Sequence, residues 1–208
     1  MTVQVELIRF APFLYFQKGL IIMVFEEKKI ILKDGSVAIL KSPCVEDAEK
    51  QLRFIAKCCA ETDFLSRYPE EWECMTIESE AKWINNNRSS PKALGIDCYI
   101  GEEIVGSCDI NFRSGIKTSH RATVAISVLK EYWNLGIGTA MFGELVAVAE
   151  ARPSIEIVEL EFIEGNDRAR ALYEKYGFKI VGERPNAFKL KDGRLLKEYF
   201  MQKELKKK

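Results

Sequence analysis

Thr123-Val124-Ala125-Ile126-Ser127-Val128-Leu129 runs directly into Lys130-Glu131-Tyr132-Trp133-Asn134-Leu135-Gly136-Ile137-Gly138-Thr139-Ala140. The first run has the β-branched density of a strand. The second is pinched at two glycines, after which Met141, Leu145 and Val148 recur at helical spacing. A glycine loop between strand and helix turns successive backbone N–H groups outward at the helix start, where they can hold a pyrophosphate without a basic side chain. An ordinary tight strand-to-helix turn would use the same glycines. A dinucleotide fingerprint needs a third glycine at 141, where this chain has Met. A nucleoside-triphosphate loop needs Lys-Ser or Lys-Thr after the glycines, and neither is present.

Further along comes Asn166-Asp167-Arg168-Ala169-Arg170-Ala171-Leu172-Tyr173-Glu174-Lys175-Tyr176-Gly177-Phe178. Ala169, Leu172, Tyr173 and Tyr176 share one helical face, Asn166 suits the N-cap and Gly177 the C-terminal cap. Together the two segments resemble the acetyl-coenzyme-A site of the GNAT superfamily of N-acetyltransferases. The resemblance implies acetyl-CoA as co-substrate. Its contacts would be Trp133, Asn134, Leu135, Gly136, Ile137, Gly138 and Thr139 of the loop, with Asn166. It also implies that the strand 123–129 splays from a parallel neighbour at 156–162, so that pantetheine amides pair with its edge. Val128 or Leu129 would then offer an N–H to the acetyl oxygen, stabilising the oxyanion. Tyr173 would protonate the leaving thiolate, a task open to a phenol of ordinary pKa ~10 held within reach. On helical spacing alone Tyr173 would be a packed aromatic. One departure stands out: Trp133 occupies the position where the family loop has Arg or Gln. Tyr132-Trp133 before such a loop is reminiscent of the branch that includes ribosomal-protein alanine acetyltransferases.

The 208 residues suit one domain, with 47% apolar and 30% charged residues, and formal charge is zero because Lys+Arg and Asp+Glu each number 31. No global field calls for nucleic acid. Six cysteines form no C-x-x-C pair and there is one histidine, so no metal site is expected and a reduced, cytoplasmic protein is. Residues 1–22 stand apart. The apolar run from Val3 to Leu20 is interrupted by Glu6, Arg9, Pro12, Gln17 and Lys18, too often for a membrane span. It also lacks the basic start and cleavage site of a secretory signal. These residues are read as an N-terminal extension, a translated leader whose Lys18-Gly19 codons can spell a ribosome-binding site. The domain itself then covers 23–205. The basic end from Lys203 to Lys208 reads as a frayed tail.

Along the chain, Lys29 to Leu40 predicts a hairpin with a type I′ turn at Asp34-Gly35. A helix is expected from Val45 to Ala60, burying Ala48, Leu52, Ile55 and Cys59. Glu61 to Cys74 is an acidic loop, and Thr76 caps a second helix aligned on Ile77, Ala81 and Ile84. Strands at 98–100, 104–112, 157–162, 178–181, 188–190 and 199–202 complete an α/β domain. Its mixed central sheet is flanked by helices in the order β-α-α-β-β-β-α-β-α-β-β.

The expected reaction is direct acetyl transfer to a primary amine of a small molecule or a peptide N-terminus, with a homodimer compatible and no membrane partner. A catalytically silent acyl-CoA-binding module, or a transferase for another acyl group, keeps the same fold. Candidates for the base that deprotonates the ammonium are Asp109, Glu161, Glu61 and Asp63, with His120 read as structural. The acidic loop (Glu61, Asp63, Glu70, Glu71, Glu73) would suit a cationic acceptor.

Overall fold

Seven strands and two α-helices precede the quoted segment among the described residues. The structure, a computed structural model, describes residues 8–11, 14–17 and 20–205, with side chains from Ile22 onward. Strands β1 (Ile8–Ala11), β2 (Leu14–Gln17) and β3 (Leu20–Met23) pair antiparallel with one another in a separate sheet. The rest of the expected leader lies outside the described residues. After them come β4 (Lys28–Ile31), β5 (Val37–Lys41), α1 (Ala48–Glu61), α2 (Ile77–Arg88), β6 (Ala93–Ile100) and β7 (Glu103–Phe112). The second half runs β8 (Arg121–Val128), α3 (Ile137–Glu150), β9 (Ile157–Ile163), α4 (Asp167–Lys175), β10 (Lys179–Lys189) and β11 (Leu195–Glu204). The main sheet has eight strands in the order β10-β11-β9-β8-β7-β6-β5-β4. Every neighbouring pair is antiparallel except β8 and β9, which are joined through α3 and therefore run parallel.

The two sheet faces are unlike. Ile96, Ile110, Ala122, Val124 and Val158 meet Ile137, Met141, Phe142 and Leu145 of α3 in the larger core. On the opposite face Phe54 and Cys58 of α1 pack with Tyr99, Ile104 and Leu129. Phe142, Met141 and Leu145 are fully buried, and each contributes on the order of 1.5–3 kcal/mol of transfer free energy.

Several local expectations shift. The β4–β5 turn closes with Leu32 N–H on the Ser36 carbonyl at 2.8 Å, around a three-residue loop. Only Gly35 (φ 85°) is left-handed there, so the turn is not the two-residue type I′ form. In α1 the buried face is Ala48, Gln51, Phe54, Cys58 and Cys59, because Gln51 is drawn inward to a carboxylate. Thr76 does cap α2, accepting from Ser79 N at 3.1 Å, but Ile77 is exposed while Ile84 is buried. The runs 178–181 and 188–190 are two ends of β10, whose register slips between Arg184 and Phe188. Pro185 has no N–H to give there and Asn186 is left-handed at φ 55°. Lys203 is not a frayed tail: it lies in β11 and its Nζ donates to the Tyr176 carbonyl at 2.8 Å. Residues 206–208 lie outside the described residues.

The carboxylate that draws Gln51 inward is Asp97, fully buried on β6, which accepts from Gln51 Nε2 at 2.7 Å. Burial pushes its carboxyl up to about 7, against the pull of Ser107 and Gln51. Asp109 on β7 is likewise raised by burial, to about 6. The fold therefore holds protons that an unfolded carboxyl releases near ~3.9. Their stabilising contribution is complete below about 4 and is lost as pH rises through about 7. Asp97→Asn should flatten this slope, raising stability relative to wild type at pH 8 by a few kcal/mol at most. Urea unfolding of both proteins at pH 5 and pH 8 measures it, and an identical pH dependence in the two would show that Asp97 folds ionised.

Candidate active site

β8 and β9 share only three register pairs, Arg121↔Ile157, Ala122↔Val158 and Thr123↔Glu159. Beyond Thr123 they part, although β8 stays on β7 as far as Gly106↔Val128 and β9 stays on β11 as far as Glu198↔Ile163. At the closed end Glu159 holds Arg121 of β8 and Arg113 of the preceding loop. His120 sits at this end too, its carbonyl accepting from Glu156 and Ile157 N–H.

Backbone alternation decides what the open edge offers. Leu129 N–H donates to the Val105 carbonyl at 3.0 Å and Arg113 N–H to the Arg121 carbonyl at 3.1 Å. Odd-numbered residues of β8 thus bond to β7, while Val124, Ile126 and Val128 turn their N–H and C=O groups toward the gap. Trp133 Nε1 takes the Val128 carbonyl at 2.7 Å. Leu129 is thereby corrected as a donor to the acetyl oxygen: its N–H is engaged and its side chain is buried beside Phe54 and Cys58. Val128 N–H faces the gap.

The glycine loop rises from this edge. Asn134 (φ 66°) and Gly136 (φ 100°) are left-handed, and Lys33 N–H from the β4–β5 turn holds the Leu135 carbonyl at 3.0 Å. α3 begins at Ile137, so the N–H groups of Ile137, Gly138 and Thr139 have no carbonyl of their own helix to bond. The Ile137 side chain is fully buried and Leu135 packs on the core, so these two offer only main chain. Trp133 lies under the Arg168 guanidinium, 4.2 Å from ring centroid to Cζ, and Arg168 also donates to Asn134 Oδ1. The cation missing from the loop is thus supplied by α4. Sequence reasoning passed over Arg168, although it falls two residues after Asn166 within the quoted motif.

Asn166 caps α4 by accepting from Ala169 N at 3.3 Å, and it also borders the cleft. Tyr176 Oη donates to the Thr139 carbonyl at 2.7 Å, fastening α4 to the first turn of α3. A side chain at Gly143 would meet that hydroxyl at 2.7 Å, hence the glycine. Tyr173 is 6% exposed, its ring among Phe142 (5.1 Å) and Phe162 (6.1 Å), and it forms part of the cleft wall. Burial pushes its phenol up to about 12, so it carries its proton throughout the neutral range.

The opposite face of the gap is acidic. Glu161 stands opposite Phe200 and Glu198 opposite Ile163, which puts both carboxylates on the face away from the stacked Phe162–Tyr199 pair. The α1–α2 loop arches over them. Its Phe64 ring lies 3.6 Å from where a side chain at Gly165 would begin, and Leu65 lines the cleft beside it. The cleft encloses about 610 Å³.

Among the candidate bases, Asp109 borders a small separate cavity beside Met23 and Pro43, and not this cleft. Glu61 Oε2 accepts from Lys130 N at 2.6 Å, and Asp63 pairs with Arg194 at 3.6 Å. Glu161 lies on the cleft wall. The acidic loop finds its cations within the chain: besides Asp63–Arg194, Glu70 pairs with Lys191, and Tyr68 Oη accepts from Lys191 N at 3.0 Å. The loop is tied to the β10–β11 turn, where two of its acids, Asp63 and Glu70, are paired. Among the described residues no group of His, Cys, Asp and Glu is placed to hold a metal ion, and no helix is long and apolar enough to cross a membrane.

Comparison with known proteins agrees with this geometry. An L-amino acid N-acetyltransferase of Escherichia coli K12 is 25% identical over 132 residues, 62% of this chain and 81% of that protein. A GNAT-family acetyltransferase from Streptococcus pneumoniae superposes with a TM-score of 0.75 at 24% identity, covering 81% of this chain and 99% of that one. An acetyltransferase from Salmonella typhimurium solved with acetyl-CoA gives 0.68 at 15% identity, covering 82% and 95%. The model of the acetyltransferase (GNAT) family matches residues 59–178. That span takes in the splayed strands, the glycine loop and the tyrosine helix, and the chain belongs to the acetyltransferase (GNAT) family, whose members move acetyl from acetyl-CoA to an amine.

Proposed function

We propose that acetyl passes directly between two substrates held on opposite faces of the gap, with Tyr173 and Glu161 each handling one proton. The observation that carries this reading is the parting of β8 from β9 between a buried phenol and a carboxylate. The residues present fit acetyl-CoA. Ile126 and Val128 supply an open strand edge for pantetheine amides. The first-turn N–H groups of α3, with Arg168 and Lys33 beside them, suit a pyrophosphate. When bound, the thioester supplies the activated acetyl group.

The chain's own residues then do the rest. Glu161 takes a proton from the acceptor ammonium, leaving a neutral amine. As the N–C bond forms, Val128 N–H faces the negative charge growing on the acetyl oxygen, and the nitrogen gives up its second proton to solvent as the C–S bond breaks, so that the amide is released neutral. Tyr173 gives its proton to the departing thiolate and regains one from solvent. The acceptor is a primary amine on a small molecule or a peptide N-terminus. A cytoplasmic setting accords with six cysteines that are all free. The catalytic unit begins at Met23, the first residue of the larger core.

Turnover of a panel of primary amines, read as release of coenzyme A thiol, tests the activity. Tyr173→Phe keeps the packing against Phe142 and Phe162, so melting temperature and acetyl-CoA affinity should hold. kcat should fall by ~10²–10⁴ if thiolate departure limits the rate. Wild-type kcat in the mutant, with chemistry shown to be limiting, would leave Tyr173 as a core aromatic.

The glycines should separate stability from binding. At Gly138 an added Cβ meets Leu172 at an ordinary 3.6 Å, so Gly138→Val should fold while its bulk obstructs the pyrophosphate. Gly136→Val forces a β-branched residue to φ 100° and should also lower stability, by about 1–2 kcal/mol. Calorimetry with acetyl-CoA beside thermal unfolding reads both effects. Unchanged affinity in the two variants would remove the loop from the site.

A further inference from the structure

Glu198 on β11 has no task in the reaction as described, yet it is built into the cleft wall. Its side chain is only 8% exposed and its carboxylate pairs with Arg184 of β10 at 2.6 Å. Glu161 lies beside it on the same sheet face. Burial first, then the charge of Glu161, raises the Glu198 carboxyl, and Arg184 opposes them. Around this pair the wall is apolar, with Phe64 and Leu65 from the α1–α2 loop and Phe188 from β10.

The cations of the cleft stand elsewhere. Arg168 is stacked on Trp133, Lys33 adjoins Gly136, and Lys175 ends α4. Arg168 and Lys33 belong to the donor side. On the acceptor side Glu61 is engaged by Lys130 N–H, and among the described residues Arg184 is already held by Glu198, Arg194 by Asp63 and Lys191 by Glu70. A carboxylate entering there would meet two acids and no free positive charge, whereas an ammonium would meet both acids.

From this we infer that Glu198 is an acceptor-binding residue, and that with Glu161 it selects a primary amine borne on an apolar group and lacking a carboxylate next to the amine. An amino alcohol and a peptide N-terminus both have that chemistry; a free amino acid does not. The inference rests on the assignment of this face to the acceptor. It extends that assignment from amines in general to one charge class.

The test compares phenylalaninol and phenylalanyl-glycinamide with phenylalanine, using the full chain and acetyl-CoA, at a pH where thiol release is linear. In wild type kcat/KM should favour the two carboxylate-free amines by at least ~10-fold, and the arm that is faster distinguishes small amine from peptide. Glu198→Gln should raise their KM and shrink the preference toward parity. Arg184→Gln, at an exposed side chain, should enlarge it, an opposite sign that a merely structural Glu198 would not produce. A wild-type preference for phenylalanine, or a preference untouched in both variants, overturns the inference while leaving acetyl transfer standing. Should no amine turn over, calorimetric binding of phenylalaninol and phenylalanine to the acetyl-CoA-loaded protein decides the charge preference by itself. Equal affinity there overturns it.

Discussion

A parallel strand pair that is prevented from closing is the constraint on which this molecule depends. Three pairs join β8 to β9, and beyond them each strand is kept by its outer neighbour, β7 on one side and β11 on the other. Neither can relax toward the other without breaking an antiparallel ladder. The Ile126 N–H and C=O and the Val128 N–H that face the gap are therefore a fixed feature of the fold, and a half-buried amide without a partner is costly. A ligand with amides of its own relieves that cost. The glycine loop, the α3 N-terminus and α4 are arranged around the same opening, held by Tyr176 on the Thr139 carbonyl and by Trp133 on the Val128 carbonyl.

The opening has two sides with different electrostatics. On one, Arg168, Lys33 and first-turn amides gather positive potential; on the other, Glu161 and Glu198 gather negative. Tyr173 lies on the wall with its proton secured by burial. On the proposed reading, this polarity would keep an anionic donor and a cationic acceptor from exchanging places. The α1–α2 loop contributes to the separation by being bound to the β10–β11 turn through Asp63–Arg194 and Glu70–Lys191.

Much of this was legible in the chain because the donor side is built from contiguous residues. Gly136, Gly138, Asn166 and Tyr173 were read through the resemblance of two short segments to one family, whereas local spacing alone gave an ordinary turn and a packed aromatic. The two cleft acids were harder. Glu161 was one of four base candidates that nothing in the sequence ranked, and Glu198 gave no signal, since it becomes a partner of Glu161 only through the β9–β11 register. Leu129 was misjudged beside Val128 because alternation says which residues bond to β7 only once the register with Val105 is known. The pairing of the acidic loop was hidden for the same reason: Arg194 and Lys191 lie more than a hundred residues downstream of Asp63 and Glu70. Asp97 likewise reads as an ordinary strand carboxylate until Gln51 is seen to turn toward it.

The short seam also bears on the mechanical character of the molecule. With so few rungs shared, the eight-stranded sheet is made of two leaves joined by a short seam near Glu159, one leaf from β4 to β8 and the other from β9 to β11. A donor lying in the gap would act as an additional strand and weld the leaves. Rigidity would then follow metabolite supply: amide exchange at Ile126 and Val128 should slow on loading, and a chain starved of donor would present its seam to proteases first.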